Sequence, residues 1–495
     1  MRIQWLCGIV IGAVWALGWT AAAAEKNIVL FVADDLGTDL GCYGHPVVQS
    51  PHIDQFAREA ILFRRAFATT ASCSASRSVI LTGLYNHANG QFGHQHSWHH
   101  FASFDWVKSL PWFLQQGGYR TARVGKYHVA PESVYTFEQN LGGFGRDMVR
   151  MVDAAKPLLA DRSDKPFFLY ICTSDPHRGG GNVSDDPLAA DRFGNRKQGR
   201  YKGIKEIAYH PEDVVVPPFL PDTPECRAEL AQYYQSVSRV DQGVGYLLEA
   251  LKEAGVYEDT LIVLISDHGI AMPGAKTTVY EPGLRSPCIV RLPGGKNGGR
   301  ETEAMINWAD LTPTLLDFAG LLDTKTNTFN KARLTMPARP GGRPHAKTPY
   351  RFHGRSFLAT LQNPDAPGRD AIYASHTFHE IQMYYPMRVV REKRFKLIWN
   401  IAHPLPYPFA SDLWAASTWQ AQWRKGLDAP YGKRTVGQYV HRPAFELYDL
   451  VADPDEAHNL ADDPRYADQL KRLKKKLRTF QRETLDPWEL KWEYE

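Results

Sequence analysis

Three apolar segments dominate the pattern of hydrophobic and polar positions along the chain. They are NIVLFVA (27–33), FFLYICT (167–173) and TLIVLIS (260–266), and each is almost continuously apolar rather than alternating. Continuous apolar runs of this length are typical of strands that are covered on both faces in a parallel sheet. The pattern therefore predicts three buried strands near the centre of a sheet.

Helical spacing of apolar residues appears between these segments. Ser50-Pro51 have the residue types of an N-cap and a first helical residue, and apolar side chains recur at helical spacing from Ile53 to Ile61. A longer helical pattern runs from Leu230 to Leu251 and stops at Gly255, a residue type that often ends helices. Strands that alternate with helices predict an α/β fold.

The C-terminal part of the sequence has a different pattern. Residues 324–350 contain several prolines, the pair Gly341-Gly342 and many basic residues, which predict an exposed loop near a domain boundary. Beyond it, FELYDL (445–450) predicts a strand, and a charged helix is predicted over 464–480. A chain of 495 residues is expected to form more than one domain. We expect a large domain over 25–365 and a smaller α+β domain over 370–495.

The N-terminus has the layout of a secretory signal peptide. Arg2 precedes an apolar stretch from Trp5 to Trp19, and the small residues of TAAAAE follow, so cleavage is expected after Ala24. A retained membrane anchor is the alternative, although the apolar stretch is shorter than the ~20 residues of a spanning helix. The mature protein is therefore expected to be exported without a membrane partner, to the periplasm or medium, or to the lysosome in an animal.

Composition and charge narrow the classes of partner and of fold. Net charge is only +4, with acidic and basic residues interspersed, so neither nucleic acid nor a membrane surface is an expected partner. Six cysteines are present and Cys7 leaves with the predicted signal; the remaining five are too few for a disulfide scaffold. At least one thiol must be unpaired, and Cys172, inside an apolar run, is expected to be buried.

Polar side chains follow each of the three predicted strands. They are Asp34 and Asp35, then Asp175 and His177, then Asp267 and His268. Ligands of open α/β sheets bind outside the carboxyl ends of strands, so these groups are expected to share one crevice. Clustered carboxylates repel one another unless a cation lies between them, and oxygen-rich sites suit Ca²⁺ or Mg²⁺. A turn or helix cap is the alternative reading of the Asp34-Asp35 pair.

The segment TTASCSASRSVILTG (69–83) places a cysteine among small hydroxyl residues. A helix that begins at Cys73 would put the thiol at a helix N-terminus, where the dipole lowers a thiol pKa or holds an anion. Arg77, one turn later, would then project to the same side. A buried, inert cysteine is the alternative.

A further segment, RVGKYHV (123–129), carries two cationic side chains. If it is a strand, Lys126 and His128 point to the same face. The alternative is an ordinary edge strand with solvated polar groups. Lys276 has no sequence signal of its own.

The order of these motifs resembles that of one known family. CSASRSVILTG (73–83) is similar to the signature of type I sulfatases, and ADDLG, GKYH, DPHR, SDHG and LYDLVADPDEAHNLADDP follow in that family's order. The resemblance covers nearly the whole mature chain. It implies an alkaline-phosphatase-like fold, in which a large, mostly parallel sheet flanked by helices is joined to a smaller C-terminal α+β domain with an antiparallel sheet.

Three more segments resemble the branch of that family that removes N-sulfate from glucosamine. They are HHFASFDWVKSLP (99–111), YYQSVSRVDQGVG (233–245) and SHTFHEIQMYYPMR (375–388). The resemblance implies hydrolysis of the sulfamate in heparan sulfate or heparin fragments. The alternatives are an O-sulfatase on a glycosaminoglycan or another sulfated glycan, a phosphodiesterase or phosphonate hydrolase of the same fold, and an inactive glycan-binding relative.

The resemblance also implies a role for each candidate residue. A sulfatase-maturing enzyme would oxidise Cys73 to Cα-formylglycine, whose hydrate is the nucleophile. The implied ligands of Ca²⁺, or of Mg²⁺, are the formylglycine at Cys73 and the side chains of Asp34, Asp35, Asp267 and His268. Arg77 would hold the formylglycine, while Lys126 and His128 would position and polarise it. The implied substrate-binding residues are His177, which is also the proton donor, Lys276, His379, Glu380 and His100.

Three positions depart from the family pattern. Ala75 stands where many relatives have proline, which leaves the maturation system open. His268 replaces the asparagine of this branch, and a nitrogen ligand is softer than an amide oxygen. Lys276 replaces an arginine, so the charge is kept while the planar fork is lost. A homodimer is implied by the resemblance alone.

Overall fold

The structure is a computed structural model that describes residues 26–179, 186, 188–195, 201–338 and 347–493. The predicted signal peptide and the pair Gly341-Gly342 lie outside the described residues. Among the residues it describes, no helix is both long enough and apolar enough to cross a bilayer.

An eight-stranded sheet forms the centre of the fold. Its strands in chain order are β1 (Asn27–Ala33), β2 (Ile61–Phe63), β3 (Arg120–Gly125), β4 (Gln139–Asn140), β5 (Phe167–Cys172), β6 (Thr260–Ser266), β7 (Cys288–Arg291) and β8 (Arg300–Thr302). They lie in the order β4-β3-β5-β1-β6-β7-β2-β8. Every neighbouring pair is parallel except the two pairs that β7 makes with β6 and β2. The three strands predicted from the apolar pattern are the adjacent central strands β5, β1 and β6.

Helices cover both faces of this sheet and continue into the C-terminal part. The α-helices of the described residues are α1 (Pro51–Arg58), α2 (Cys73–Thr82), α3 (Asn86–Asn89), α4 (Leu110–Gln116), α5 (Met148–Ala160), α6 (Pro224–Glu253), α7 (Glu281–Leu284), α8 (Leu311–Phe318), α9 (Leu358–Gln362), α10 (Ser411–Trp414), α11 (Ser417–Trp423), α12 (Val436–Val440) and α13 (Ala467–Glu483). Val29 and Phe31 of β1 pack with α1, α5 and α6, whereas Ile28 and Leu30 pack on the opposite face with α2, α4 and α8. Burial on both faces is the reason why β1 has no polar alternation.

A second, antiparallel sheet lies in the C-terminal part. It contains β9 (Ala371–His376), β10 (Met387–Glu392), β11 (Phe395–Asn400) and β12 (Phe445–Asp449), in that order. Leu473 and Leu477 of α13 cover one face, and residues of the other face join the core around β1. The predicted strand at FELYDL is β12.

The structure differs from the sequence-based expectation at two places in this part. The predicted charged helix begins as a 3₁₀ turn at Pro464–Tyr466 and continues as α13 to Glu483. The predicted loop over 324–350 contains short strands, of which Thr335–Pro337 and Lys347–Pro349 pair with each other. Such two- or three-residue pairings are made by backbone groups and leave no apolar periodicity in the sequence.

Candidate active site

The polar side chains that follow the central strands lie together at one edge of the sheet. β3, β5, β1 and β6 are adjacent and parallel, so their carboxyl ends meet. Asp34 N donates to the carbonyl of Asp175, and Asp267 N donates to the carbonyl of Ala33, which ties the three strand ends to one another. The expected shared crevice is therefore present.

β3 ends earlier than predicted. Gly125 has φ of +86°, and a Cβ at this position would lie 1.9 Å from the carbonyl oxygen of Cys172. Only glycine permits this close approach, after which Lys126 N donates to the same carbonyl at 2.8 Å. Lys126 and His128 therefore lie in a loop, so neither the shared strand face nor the alternative of an edge strand describes them. Both side chains nevertheless line the same cavity.

Cys73 is the first residue of α2, and its side chain is fully buried. Its Sγ lies 3.5 Å from Asp35 Oδ1 and 3.4 Å from His268 Nε2. Burial, together with the charge of Asp35, raises the pKa of the Cys73 thiol well above its usual value. This shift is opposite in direction to the one expected from the helix dipole.

Three buried carboxylates surround this cysteine, and each is paired with cations. Arg77 spans two of them, with Nη2 at 3.1 Å from Asp34 Oδ1 and Nε at 3.0 Å from Asp267 Oδ2. Lys126 also pairs with Asp34. The guanidinium thereby fixes the spacing between the ends of β1 and β6.

The charges of this cluster set its protonation states. Burial alone raises the pKa of Asp34, but Lys126 and His177 outweigh burial and hold this pKa well below 3.8. Asp267 has fewer cationic neighbours, and burial raises its pKa to about 6 despite Arg77. Burial also raises the cost of any charge that has no partner. The cluster therefore favours bound positive charge near Asp267.

The donor atoms around Cys73 fit a divalent ion. One atom from each of Asp35, Cys73, Asp267 and His268 lies within 4.8 Å of the others, and the four side chains are buried. Carboxylate oxygens are the ligands that hard cations prefer. Asp34 belongs to an overlapping set with Asp35, Cys73 and His177. The predicted metal ligands are thus brought together.

A cavity of about 560 Å³ opens beside this cluster. His177 lines it, with Nδ1 at 2.8 Å from Asp35 Oδ2, and its side chain is 28% exposed. Lys276 Nζ lies 2.9 Å from both Asp35 Oδ2 and Asp412 Oδ2. A larger cavity of about 1210 Å³ lies elsewhere, bordered by 324–327 and 483–485, and none of the predicted site residues lines it.

Three of the predicted substrate-binding residues, His379, Glu380 and His100, have different surroundings. His379 lines the cavity, and its ring nitrogens lie 2.9 Å from Ser72 Oγ and 2.8 Å from His94 Nε2. Glu380 also lines the cavity, and its Oε1 accepts hydrogen bonds from Ser411. His100 is exposed and is not part of the cavity lining, so the structure does not bring it to the site.

Comparison with known proteins assigns the family. A family model described as Sulfatase matches residues 26–321. This chain belongs to the sulfatase family. Human N-sulphoglucosamine sulphohydrolase is 38% identical over 478 residues, which cover 94% of this chain and 92% of the relative. The family predicted from the motifs is thereby confirmed.

Solved structures are similar to this sulfatase in fold. A protein in complex with its substrate D-glucosamine-2-N,6-O-disulfate has a TM-score of 0.63 at 21% identity, covering 94% of this chain and 99% of that chain. The phosphonate monoester hydrolase of Agrobacterium radiobacter has a TM-score of 0.64 at 19% identity, covering 93% and 96%. These likenesses confirm the alkaline-phosphatase-like fold with its large, mostly parallel sheet and C-terminal antiparallel sheet.

Sequence reasoning missed several residues of the sulfatase site. Arg146 Nη2 donates to the carbonyl of His177 at 2.9 Å, and its other nitrogen pairs with Asp175, so it holds the loop that carries His177. His94 and His96 line the cavity, and His96 Nδ1 lies 2.6 Å from His128 Nε2. The histidine-rich segment GHQHSWHH was a usable signal for this pair, whereas no local pattern marks Arg146.

Asp412 is the other residue that sequence reasoning missed. It lies in α10, far along the chain from the strand ends, yet it reaches Lys276. The adjoining helix α11 is fixed because Ser417 N and Thr418 N donate to Glu229, which also pairs with Arg178. Asp412 is positioned by contacts between residues that are far apart in the sequence. The sequence next to Asp412 therefore contains no motif that marks it.

Proposed function

We propose that this sulfatase hydrolyses the N-sulfate of glucosamine residues in heparan sulfate or heparin fragments. The observation that carries the proposal is the 38% identity to human N-sulphoglucosamine sulphohydrolase over 94% of the chain. Two lysines in the cavity lining, Lys126 and Lys276, supply positive charge for an anionic sulfamate.

We further propose that Cys73 is converted to formylglycine and that Asp34, Asp35, Asp267 and His268 hold Ca²⁺. The hydrated aldehyde would supply an oxygen nucleophile, and a bound ion would supply positive charge for that oxygen and for the sulfuryl group. The raised pKa of the thiol supports a role as precursor, because a neutral thiol would not attack sulfur itself.

The protein's own side chains hold the carboxylates in place, bind the sulfuryl group and orient the modified residue. Arg77 keeps Asp34 and Asp267 at a fixed separation. Lys276 is held charged by Asp35 and Asp412, so it binds a sulfuryl oxygen at the inner wall of the cavity. Lys126 and His128 also line the cavity, and the charge of Lys126 acts on Cys73, so these two side chains are proposed to orient the modified residue.

His177 is the proposed proton donor to the leaving nitrogen. Its ring reaches both the buried cluster and the open part of the cavity. Burial and Lys276 lower the pKa of His177 in the free protein. A bound sulfamate adds a negative charge beside the ring, which favours the protonated form that a general acid needs.

We also propose that residues 1–24 are a signal peptide and that the mature chain is exported. The arginine, apolar stretch and small residues of this segment support the proposal. We propose a catalytic domain over 25–365 and a smaller domain over 370–495, in agreement with the position of β9 to β12.

Sulfate release from N-sulfoglucosamine, compared with release from glucosamine 6-sulfate, tests the substrate. The protein is produced in a host with sulfatase-maturing enzymes, and Cys73→Ser serves as the inactive control. We expect faster release from the N-sulfate. Release from the 6-O-sulfate alone would instead assign an O-sulfatase.

A further inference from the structure

Asp412 is a carboxylate placed at the outer end of a buried charge chain. Cys73 lies against Asp35, Asp35 pairs with Lys276, and Lys276 pairs with Asp412. Lys276 is fully buried, whereas the side chain of Asp412 is 19% exposed and lines the cavity. In this series of charged side chains, Asp412 is therefore the one that faces the part of an incoming substrate that is attached to its sulfuryl group.

The position of Asp412 is built by several contacts. Its Oδ1 accepts from Leu413 N at 2.9 Å, and its Oδ2 accepts from Lys276. The preceding residue, Ser411, donates its N–H and hydroxyl to Glu380. Each carboxylate oxygen of Asp412 has one such partner, so each retains a lone pair for a further donor.

Lys276 and His177 hold the pKa of Asp412 below its usual value against the effect of burial. Asp412 is therefore anionic when substrate enters. Two further carboxylates, Asp34 and Asp35, are occupied by Arg77, Lys126 and Lys276 deeper in the site. Asp412 and Glu380 are the two carboxylates among the described residues that line the cavity, and Asp412 is the one that pairs with Lys276.

Sulfamates and sulfate esters differ in the charge of the group that departs. Hydrolysis of R–NH–SO₃⁻ by one water breaks the N–S bond, transfers both protons of the water to nitrogen and ends as R–NH₃⁺ and SO₄²⁻. Hydrolysis of R–O–SO₃⁻ leaves a neutral alcohol and HSO₄⁻. Positive charge therefore develops on the leaving atom of the sulfamate alone, and a carboxylate beside it stabilises that transition state selectively.

We propose that Asp412 is a specificity-determining residue that accepts a hydrogen bond from the leaving nitrogen and so favours N-sulfate over O-sulfate. This role rests on the proposed N-sulfatase function. A carboxylate at this point also disfavours a second sulfate beside it, through like-charge repulsion.

Asp412→Asn tests the role, because it keeps the shape and removes the charge. We expect its kcat/KM on N-sulfoglucosamine to fall roughly 10- to 100-fold more than its kcat/KM on 4-nitrophenyl sulfate, as for loss of a charge-assisted hydrogen bond. Asp428→Asn, an exposed substitution outside the cavity, is the control. Equal losses on both substrates would show that Asp412 only positions Lys276, and would overturn the proposal.

Equilibrium binding of the product separates this inference from the proposed function, and its first comparison uses the wild-type protein alone. At about pH 6, below the pKa of an amine, the wild-type enzyme should bind glucosamine more tightly than glucose. Asp412→Asn should lose that preference. Wild-type enzyme without the preference contradicts the role of Asp412. If the preference is present but N-sulfoglucosamine is not hydrolysed, the proposed function fails while amine recognition by Asp412 stands.

Discussion

Arg77 and Asp267 form a fully buried ion pair, with Nε 3.0 Å from Oδ2. The same guanidinium also reaches Asp34 at 3.1 Å, so a single side chain from α2 joins the ends of β1 and β6. The pair brings the start of α2, where Cys73 lies, against the strand ends that carry the carboxylates. Structure and chemistry at this site therefore depend on one residue.

Arg77→Gln should destabilise the protein strongly. It leaves the buried Asp267 without its arginine partner and Asp34 with Lys126 but without Arg77, and loss of one member of a buried pair costs about 3–5 kcal/mol. The free energy of unfolding from denaturant titration measures the effect, with the exposed substitution Arg351→Gln as control. A loss of stability as small as that of the control would contradict this role for Arg77.

Removal of divalent ions should lower the thermal stability of the wild-type protein. Asp34, Asp35 and Asp267 repel one another more strongly without a bound cation, and a ligand at 100 times its Kd stabilises a protein by about 2.7 kcal/mol. Unfolding temperatures are compared after chelation and after addition of Ca²⁺. Asp267→Asn should respond much less. Identical unfolding temperatures with and without Ca²⁺ would argue against the proposed ligands.

His177→Ala should affect poor leaving groups more than good ones. A general acid contributes typically 10²–10⁴-fold where the departing atom needs a proton, and little where nitrophenolate departs unaided. Rates on N-sulfoglucosamine and on 4-nitrophenyl sulfate give the comparison. If both rates fall by the same factor, His177 binds substrate but does not protonate the leaving group.

Asp241, which lies outside the active site, should make the free energy of unfolding depend on pH. Its Oδ1 accepts from Ile53 N at 2.7 Å near the start of α1, and burial raises its pKa to about 7. Because the folded pKa exceeds the unfolded value, the folded state binds the proton more tightly. The contribution to stability is therefore complete below about pH 4 and is lost as pH rises through about 7.

Asp241→Asn removes this titration while it keeps the oxygen that accepts from Ile53. We expect the wild-type free energy of unfolding to fall between pH 4 and 7 by up to about 1.4 kcal/mol per pH unit relative to the variant, and to level off above this range. Denaturant titrations across this range measure the difference, and the exposed substitution Asp462→Asn is the control. Parallel pH profiles for wild type and Asp241→Asn would refute the assignment.

The central part of the fold was predictable because its strands are buried on both faces. β1, β5 and β6 appear in the sequence as continuous apolar runs, and the polar residues that follow them necessarily meet at one edge of a parallel sheet. This reasoning located Asp34, Asp35 and Asp267. The helix start at Cys73 was also predictable from local sequence.

Other parts of the site depend on contacts that no local pattern records. The turn at Gly125 results from contact with the Cys172 carbonyl on the neighbouring strand, so the sequence around Lys126 was read as a strand. Asp412 reaches Lys276 only because α10 and α11 are anchored elsewhere in the fold. His100, proposed from a matching segment, is exposed outside the cavity, whereas the neighbouring His94 and His96 line it.

The mass of the peptide that spans Thr69–Gly83 most directly tests whether Cys73 is a catalytic precursor. The protein is purified from a host with sulfatase-maturing enzymes, and the peptide is measured beside that of Cys73→Ser. We predict the mass of an aldehyde, or of its hydrate, in place of the thiol at Cys73, in the same preparation that releases sulfate. An intact thiol in a preparation that turns over substrate would contradict the account.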